Sequence, residues 1–259
     1  AWFLRRRVDE SAIQKEAVAK AGKQAKSPLR VILSGKPGRA FIQAWVTMTG
    51  LFFVVTINSS VLNQFLLENE GYTPADLANT QLIIPVAMAS YVLFGWLSDH
   101  IGRKPALYIG SGLQIVLYPV VITAIGSGTV DGWFNLTLLA VAGHCLTVAP
   151  FGVLPAYINE RFATIVRSTG WGVAYGTAVI IPSFFSYYMI WLSAFVPFVY
   201  TAGILASFGG ILILVATLCG PETRGIDLRK AGSDADQEPV EATVPAASAP
   251  TLTAAKEQA

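Results

Sequence analysis

The 259-residue chain is 53% hydrophobic and only 13% charged, against roughly 25% charged in an ordinary soluble domain. Too little polar surface is available to cover a globule, which excludes a soluble single domain. Its net charge of +2 is informative only through where the charges sit. The two cysteines, Cys145 and Cys219, both lie in apolar runs. That placement argues against a disulfide framework or a thiolate metal site.

In chain order, residues 1–39 carry ten of the basic residues. Within them, 11–26 set Ile13, Ala17, Val18 and Ala21 on one helical face and Lys15, Lys20, Lys23 and Lys26 on the other, predicting an amphipathic helix in a segment ending at 39. The first residue is Ala1 and no signal peptide follows it, so the chain is expected to begin inside a longer reading frame. A helix needs about 20 apolar residues to cross the hydrocarbon core. Four runs free of Asp, Glu, Lys and Arg, at 40–67, 77–98, 105–130 and 132–159, are each long enough for one crossing. A fifth, 168–221, is long enough for two, with a turn at 192–197 where Pro197 interrupts helix. The bundle is thus expected over 40–220, with Pro85, Pro119 and Pro182 as kinks. Residues 221–259 form a tail that lacks apolar periodicity and is expected to be disordered from about 231.

Basic residues test the count. Arg103 and Lys104 fall between spans two and three, Arg161 and Arg167 between four and five, and Arg224, Arg229, Lys230 and Lys256 after six. With six spans, all of these and the N-terminal segment lie on one side, whereas the opposite loops hold Glu68, Glu70, Asp76 and Asp131 but no lysine or arginine. Basic loops mark the cytoplasmic face, so both ends are placed in the cytoplasm.

The loop after span two reads Gly95-Trp96-Leu97-Ser98-Asp99-His100-Ile101-Gly102-Arg103-Lys104. Gly102 permits a tight turn, Asp99 adds a surface carboxylate, and Arg103 with Lys104 suits lipid headgroups. This loop resembles the G-x-L-x-D-x-x-G-R-K signature of the major facilitator superfamily. Glu160 followed by Arg167 and Gly170 is similar to a second family segment, with Ala163 or Thr164 near the usual proline. Pro221-Glu222-Thr223-Arg224-Gly225 resembles the P-E-T-[KR]-G sequence that closes the last helix of sugar porters. The resemblance implies an all-α membrane protein, with six transmembrane helices forming one half-bundle of a twelve-helix fold whose N-terminal half is missing. It also implies alternating access around a midplane site and a plasma-membrane location. Gly95, Asp99, Gly102, Arg103, Lys104, Glu160, Arg167, Gly170, Glu222 and Arg224 are then expected to form a conformational latch, Asp99 accepting from the amides at 168–170 that open span five.

No Asp, Glu, Lys or Arg lies well inside a span, so the candidates for solute binding are neutral: Asn58, Asn63, Gln64, His144 and Tyr175. Gln114 ranks below them, because by the resemblance spans three and six lie outside the cavity. His144 is the only histidine in a span and suits either proton transfer or a packing hydrogen bond. Gly172 with Gly176, and Ala202, Ala206 and Gly210, have the small-residue spacing of close helix packing. The expected function is secondary active transport of a small organic solute such as an organic acid, coupled to a proton, with the bilayer and the missing half as partners. No enzyme activity, cofactor, metal or nucleic acid is implied. A hydrolase pairing Ser111 with His144 lacks the motif around the serine. The alternatives are a sugar porter, against which the paired glutamines of that group are lacking in span one, and a truncated fragment with a structural role.

Overall fold

The computed structural model describes residues 35–162 and 166–226, with positions 29, 32 and 33. The helix expected over 11–26, the tail expected from 231, and Ala163 and Thr164 lie outside them. Among the described residues all regular structure is helical. Six stretches are long and apolar enough to cross a membrane: Pro37–Glu68, Pro74–Ile101, Arg103–Gly126, Trp133–Arg161, Arg167–Ser193 and Phe198–Leu218. These are the six spans of the sequence, and the run 168–221 does cross twice.

Three spans are continuous helices: α1 (Gly35–Glu68), α4 (Arg103–Gly126) and α9 (Phe198–Leu218). The other three are broken near mid-length. Span two divides into α2 (Pro74–Ile83) and α3 (Ala89–Ile101) around a 3-10 turn at Ile84–Met88. Span four divides into α5 (Trp133–Val148) and α6 (Leu154–Arg161) around Ala149–Gly152, and span five into α7 (Arg167–Ala178) and α8 (Phe185–Ser193) around Pro182–Phe184. Each turn holds a proline, Pro85, Pro150 or Pro182, which lacks an N–H and clashes with the preceding turn. Pro119 causes no break. The carbonyl it leaves without a donor, that of Ile115, accepts from Ser207 Oγ of α9 at 3.0 Å, and a Cβ on Gly203 would lie 3.1 Å from the ring. A neighbouring span thus supplies the lost bond.

The continuous spans hold the bundle together. α1 and α9 cross at Gly50 and Gly209, where a Cβ on either would run into the other's carbonyl oxygen. Gly203 and Gly210 bring α9 against Pro119 and Ile115 of α4, and Ala202 and Ala206 of the same helix are buried. Gly172 and Gly176 do not act this way: a Cβ on either meets nothing within 4 Å. α1 contributes to both apolar clusters, with Ile57, Leu62 and Leu66 in one and Met48 and Leu51 in the other. Outward side chains such as Leu82, Val92 and Ile190 are apolar and exposed, as hydrocarbon solvent requires.

Candidate functional site

The loop ends of spans two, four and six converge. Gly102, at φ +106°, makes the turn into α4 that only glycine adopts without strain. The first amides of α4 then face the Glu222 carboxylate: Arg103 N–H donates to Oε1 at 2.8 Å and Lys104 N–H to Oε2 at 3.0 Å. Oε1 also accepts from the amides of Thr223 and Arg224, each at 3.0 Å. A carboxylate on unsatisfied amides at a positive helix end is a strong arrangement.

Arg103 links the other loops. Its guanidinium donates to Ser98 Oγ and Asp99 Oδ1, each at 2.6 Å, and to Glu160 Oε1 at 3.3 Å. The second oxygen of Glu160 accepts from Thr223 Oγ1 at 2.5 Å. Lys104 Nζ donates to the Gly220 carbonyl, Arg224 to that of His100, and Arg167 Nε to that of Asn159. Eight of the ten expected latch residues therefore lie at this end in contact with one another or with the loops they join. Gly95 does not join them; its missing Cβ admits Gly152 of span four. Gly170 instead makes room for the Phe162 ring.

Asp99 departs from expectation. Its side chain is 62% exposed, and among the described residues its hydrogen-bond partner is Arg103, not an amide at 168–170. Arg103 is four residues on and one helical turn away, so it captures the carboxylate locally. The helix start that a carboxylate does cap is that of α4, and Glu222 caps it.

The second site lies inside the bundle. Asn58 Nδ2 is 2.6 Å from His144 Nδ1, and Tyr118 OH donates to Asn58 Oδ1 at 3.3 Å. With Asn58 Oδ1 taken by the phenol, its amide nitrogen faces the imidazole. His144 Nδ1 then accepts, leaving the ring proton on Nε2. Asn58 is buried, whereas His144 is only half-buried. Sequence reasoning paired neither of them with Tyr118, which lies in a span set aside as outside the cavity.

The other candidates stand apart. Asn63 Oδ1 accepts from Gln81 Nε2 at 2.6 Å, and Gln64 Nε2 donates to Glu68 at 2.9 Å, both in exposed positions. Gln81 was missed, although an amide in the apolar run 77–98 was a usable signal. Tyr175 is exposed and packs edge-on against Phe52 at 5.0 Å and near Trp171 at 5.7 Å. Ser111 donates to the Tyr108 carbonyl, not to His144. No nucleophile and base pair forms there.

The family model for sugar (and other) transporters matches residues 7–234. An inner membrane metabolite transport protein, YhjE, of Escherichia coli is 30% identical over 81% of this chain and 48% of its own length. A probable 4-methylmuconolactone transporter of Cupriavidus pinatubonensis is 25% identical over 89% of the chain and 52% of its own. The human organic cation/carnitine transporter 2 is 23% identical over 72% of the chain and 30% of its own. The chain spans about half the length of these curated relatives, or less. Six apolar spans, the turn built on Gly102 and the match along most of the chain agree: this integral membrane protein belongs to the sugar (and other) transporter family of the major facilitator superfamily.

Proposed function

We propose that the chain is the C-terminal half of a twelve-helix symporter that carries a small organic acid or similar metabolite with a proton, by alternating access. Membrane solute transport follows from the family; the coupling and the solute are the reading made here. The observation that carries it is the His144–Asn58 pair. It places the only histidine well inside a span among the described residues, half-buried, with Nε2 free to exchange a proton, where those spans hold no carboxylate or fixed cation at that depth. The relatives named for metabolite and 4-methylmuconolactone transport support an organic-acid solute. In this reading the basic loops face the cytoplasm at the plasma membrane, the N-terminal half supplies the facing cavity wall, and Asn63, Gln64 and Tyr175 meet the solute. The Asp99 loop and its neighbours latch the cytoplasmic end, with Asp99 reaching span five in a state other than this one.

The test uses cells that express the complete coding sequence and a panel of labelled organic acids. Uptake should collapse when a protonophore removes the proton gradient, and His144→Gln should abolish accumulation while leaving counterflow exchange. Accumulation that survives the protonophore sinks the coupling. A sugar solute is the second reading, favoured by the neutral Asn63–Gln81 amide pair, and labelled hexoses belong in the same panel. If this chain alone is inert when the complete protein is active, the two-bundle requirement stands.

A further inference from the structure

The fourth span stops being α-helical at Val148 and runs as a 3-10 turn over Ala149–Gly152 before α6 resumes at Leu154. A break in hydrocarbon leaves carbonyls that no water serves, so each needs a donor from the protein. The Thr147 carbonyl is such a group. In 3-10 geometry its donor is the amide three residues on, and that position is Pro150, which has no N–H.

A side-chain donor to this carbonyl comes from another span. Gln114 of α4, fully buried, places Nε2 3.0 Å from the Thr147 carbonyl oxygen. Its Oε1 has no partner. Burying an amide with an idle acceptor is a net cost, so its persistence here turns on the donor half. Two neighbours on the same helical face complete the grip. Gly110, one turn before Gln114, leaves room for the Pro150 ring, whose Cγ would lie 3.1 Å from a Cβ. Tyr118, one turn after, holds Asn58, which holds His144 on the broken span itself.

We infer that Gln114 is a positioning residue for transport: it holds span four in its broken form by replacing the donor Pro150 lacks, and ties that break to the setting of His144. Were span four to straighten into continuous α-helix, the Phe151 amide would reach the Thr147 carbonyl and release Gln114. The two forms thus exchange one hydrogen bond for another. The consequence for turnover rests on the transport reading above; the consequence for the fold does not.

A double-mutant cycle separates the two. Gln114→Met keeps the volume and removes both amide groups, and Pro150→Ala returns an N–H at position 150. In thermal unfolding of the chain in detergent, Gln114→Met should lower the melting temperature of the parent. In the Pro150→Ala background it should leave that temperature unchanged or raise it, since Thr147 then has a backbone donor and Met removes the idle acceptor. An equal loss in both backgrounds, or no loss in the parent, overturns the inference. Should Gln114→Met alone fail to fold, a folded double variant supports the inference and an unfolded one overturns it. In the complete transporter, Gln114→Met should lower the maximal rate about tenfold with half-saturation within about threefold, and adding Pro150→Ala should recover part of the rate. Loss without recovery removes the role in turnover. A parent that transports none of the solutes in the panel counts against the transport reading, while the unfolding cycle still decides whether Gln114 holds the break in span four.

Discussion

Glu222 offers the sharpest test of the loop cluster. Replacing it with alanine strips one carboxylate from four backbone amides, those of Arg103, Lys104, Thr223 and Arg224. Buried, bonds to a charged acceptor would each contribute about 1.5–3 kcal/mol, yet Glu222 is half-exposed and water replaces part of each. The cost is therefore set by the helix cap, about 0.5–2 kcal/mol, and by the charge at the α4 start, about 0.3–1 kcal/mol. Together these give about 1–3 kcal/mol. At about 2–4 °C per kcal/mol for a chain of this size, Glu222→Ala should lower the melting temperature in detergent by about 2–12 °C. Glu222→Gln, which keeps one acceptor oxygen, should lose about half as much. Hydrogen exchange should quicken at the amides of 103 and 104 and stay unchanged at the opposite ends of the spans. A melting temperature within about 1 °C of the parent, with those amides still protected, would refute the capping role.

Gly220→Ala should be costly, because its Cβ would overlap the Gln43 amide and the Tyr157 hydroxyl. It would dismantle the bonds from Gln43 Nε2 to Tyr157 and to the Ala216 carbonyl, both at 2.8 Å, for about 1–3 kcal/mol in unfolding experiments. Gly50→Ala should destabilise by at least as much at the α1–α9 crossing, whereas Gly172→Ala, facing open space, should gain up to about 1 kcal/mol from helix propensity; equal effects would contradict the crossing. Asp99→Asn breaks one exposed ion pair and should change stability by no more than about 1 kcal/mol. If it nevertheless depresses turnover per folded molecule and shifts cysteine accessibility in the complete protein, the latch proposal gains its support, and normal values for both remove it.

The six spans were legible in the sequence because two independent signals, apolar length and the confinement of basic residues to alternate loops, required the same count. Gly102 was legible too, since two closely spaced helices demand a tight turn. Contacts were not. Glu222 was read as part of the latch, but which helix start it caps depends on where α9 ends relative to α4, and no local pattern carries that. Asn58 and His144 were both picked out as polar groups in apolar runs, yet their pairing spans 86 residues of chain. The spacing of Gly172 and Gly176 matched that of a packing face, while the crossing that glycine does enable uses Gly50 and Gly209, one on each helix and without a repeat. Proline positions misled in a similar way. Pro119 was grouped with Pro85 and Pro182, yet its helix runs unbroken where theirs change to 3-10 turns, and Ser207 supplies the lost bond. Pro150 was not singled out, yet it sits in the break that Gln114 spans.

The division into three continuous and three broken spans carries a mechanical consequence. Spans one, three and six are joined where glycine brings backbones together, at Gly50 with Gly209, Gly203 with Pro119 and Gly210 with Ile115, so they can shift against one another only by losing close contacts along their length. Spans two, four and five each change to 3-10 geometry for a few residues, where hydrogen bonds are poorer and a proline has removed one of them. Bending at those points costs least, so the halves α3, α6 and α7 are the levers and the continuous spans the frame. Hydrogen exchange in detergent measures this directly, because local opening follows the weakest part of each element. Amides within 84–88, 149–152 and 182–185 should exchange at least about tenfold faster than those of 106–118, a difference of about 1.4 kcal/mol in opening free energy. The amides flanking Pro119 provide the internal control. They should remain protected as long as Ser207 serves the Ile115 carbonyl and lose protection in Ser207→Ala. Uniform protection across all six spans would mean that the breaks are rigid and are not points of bending.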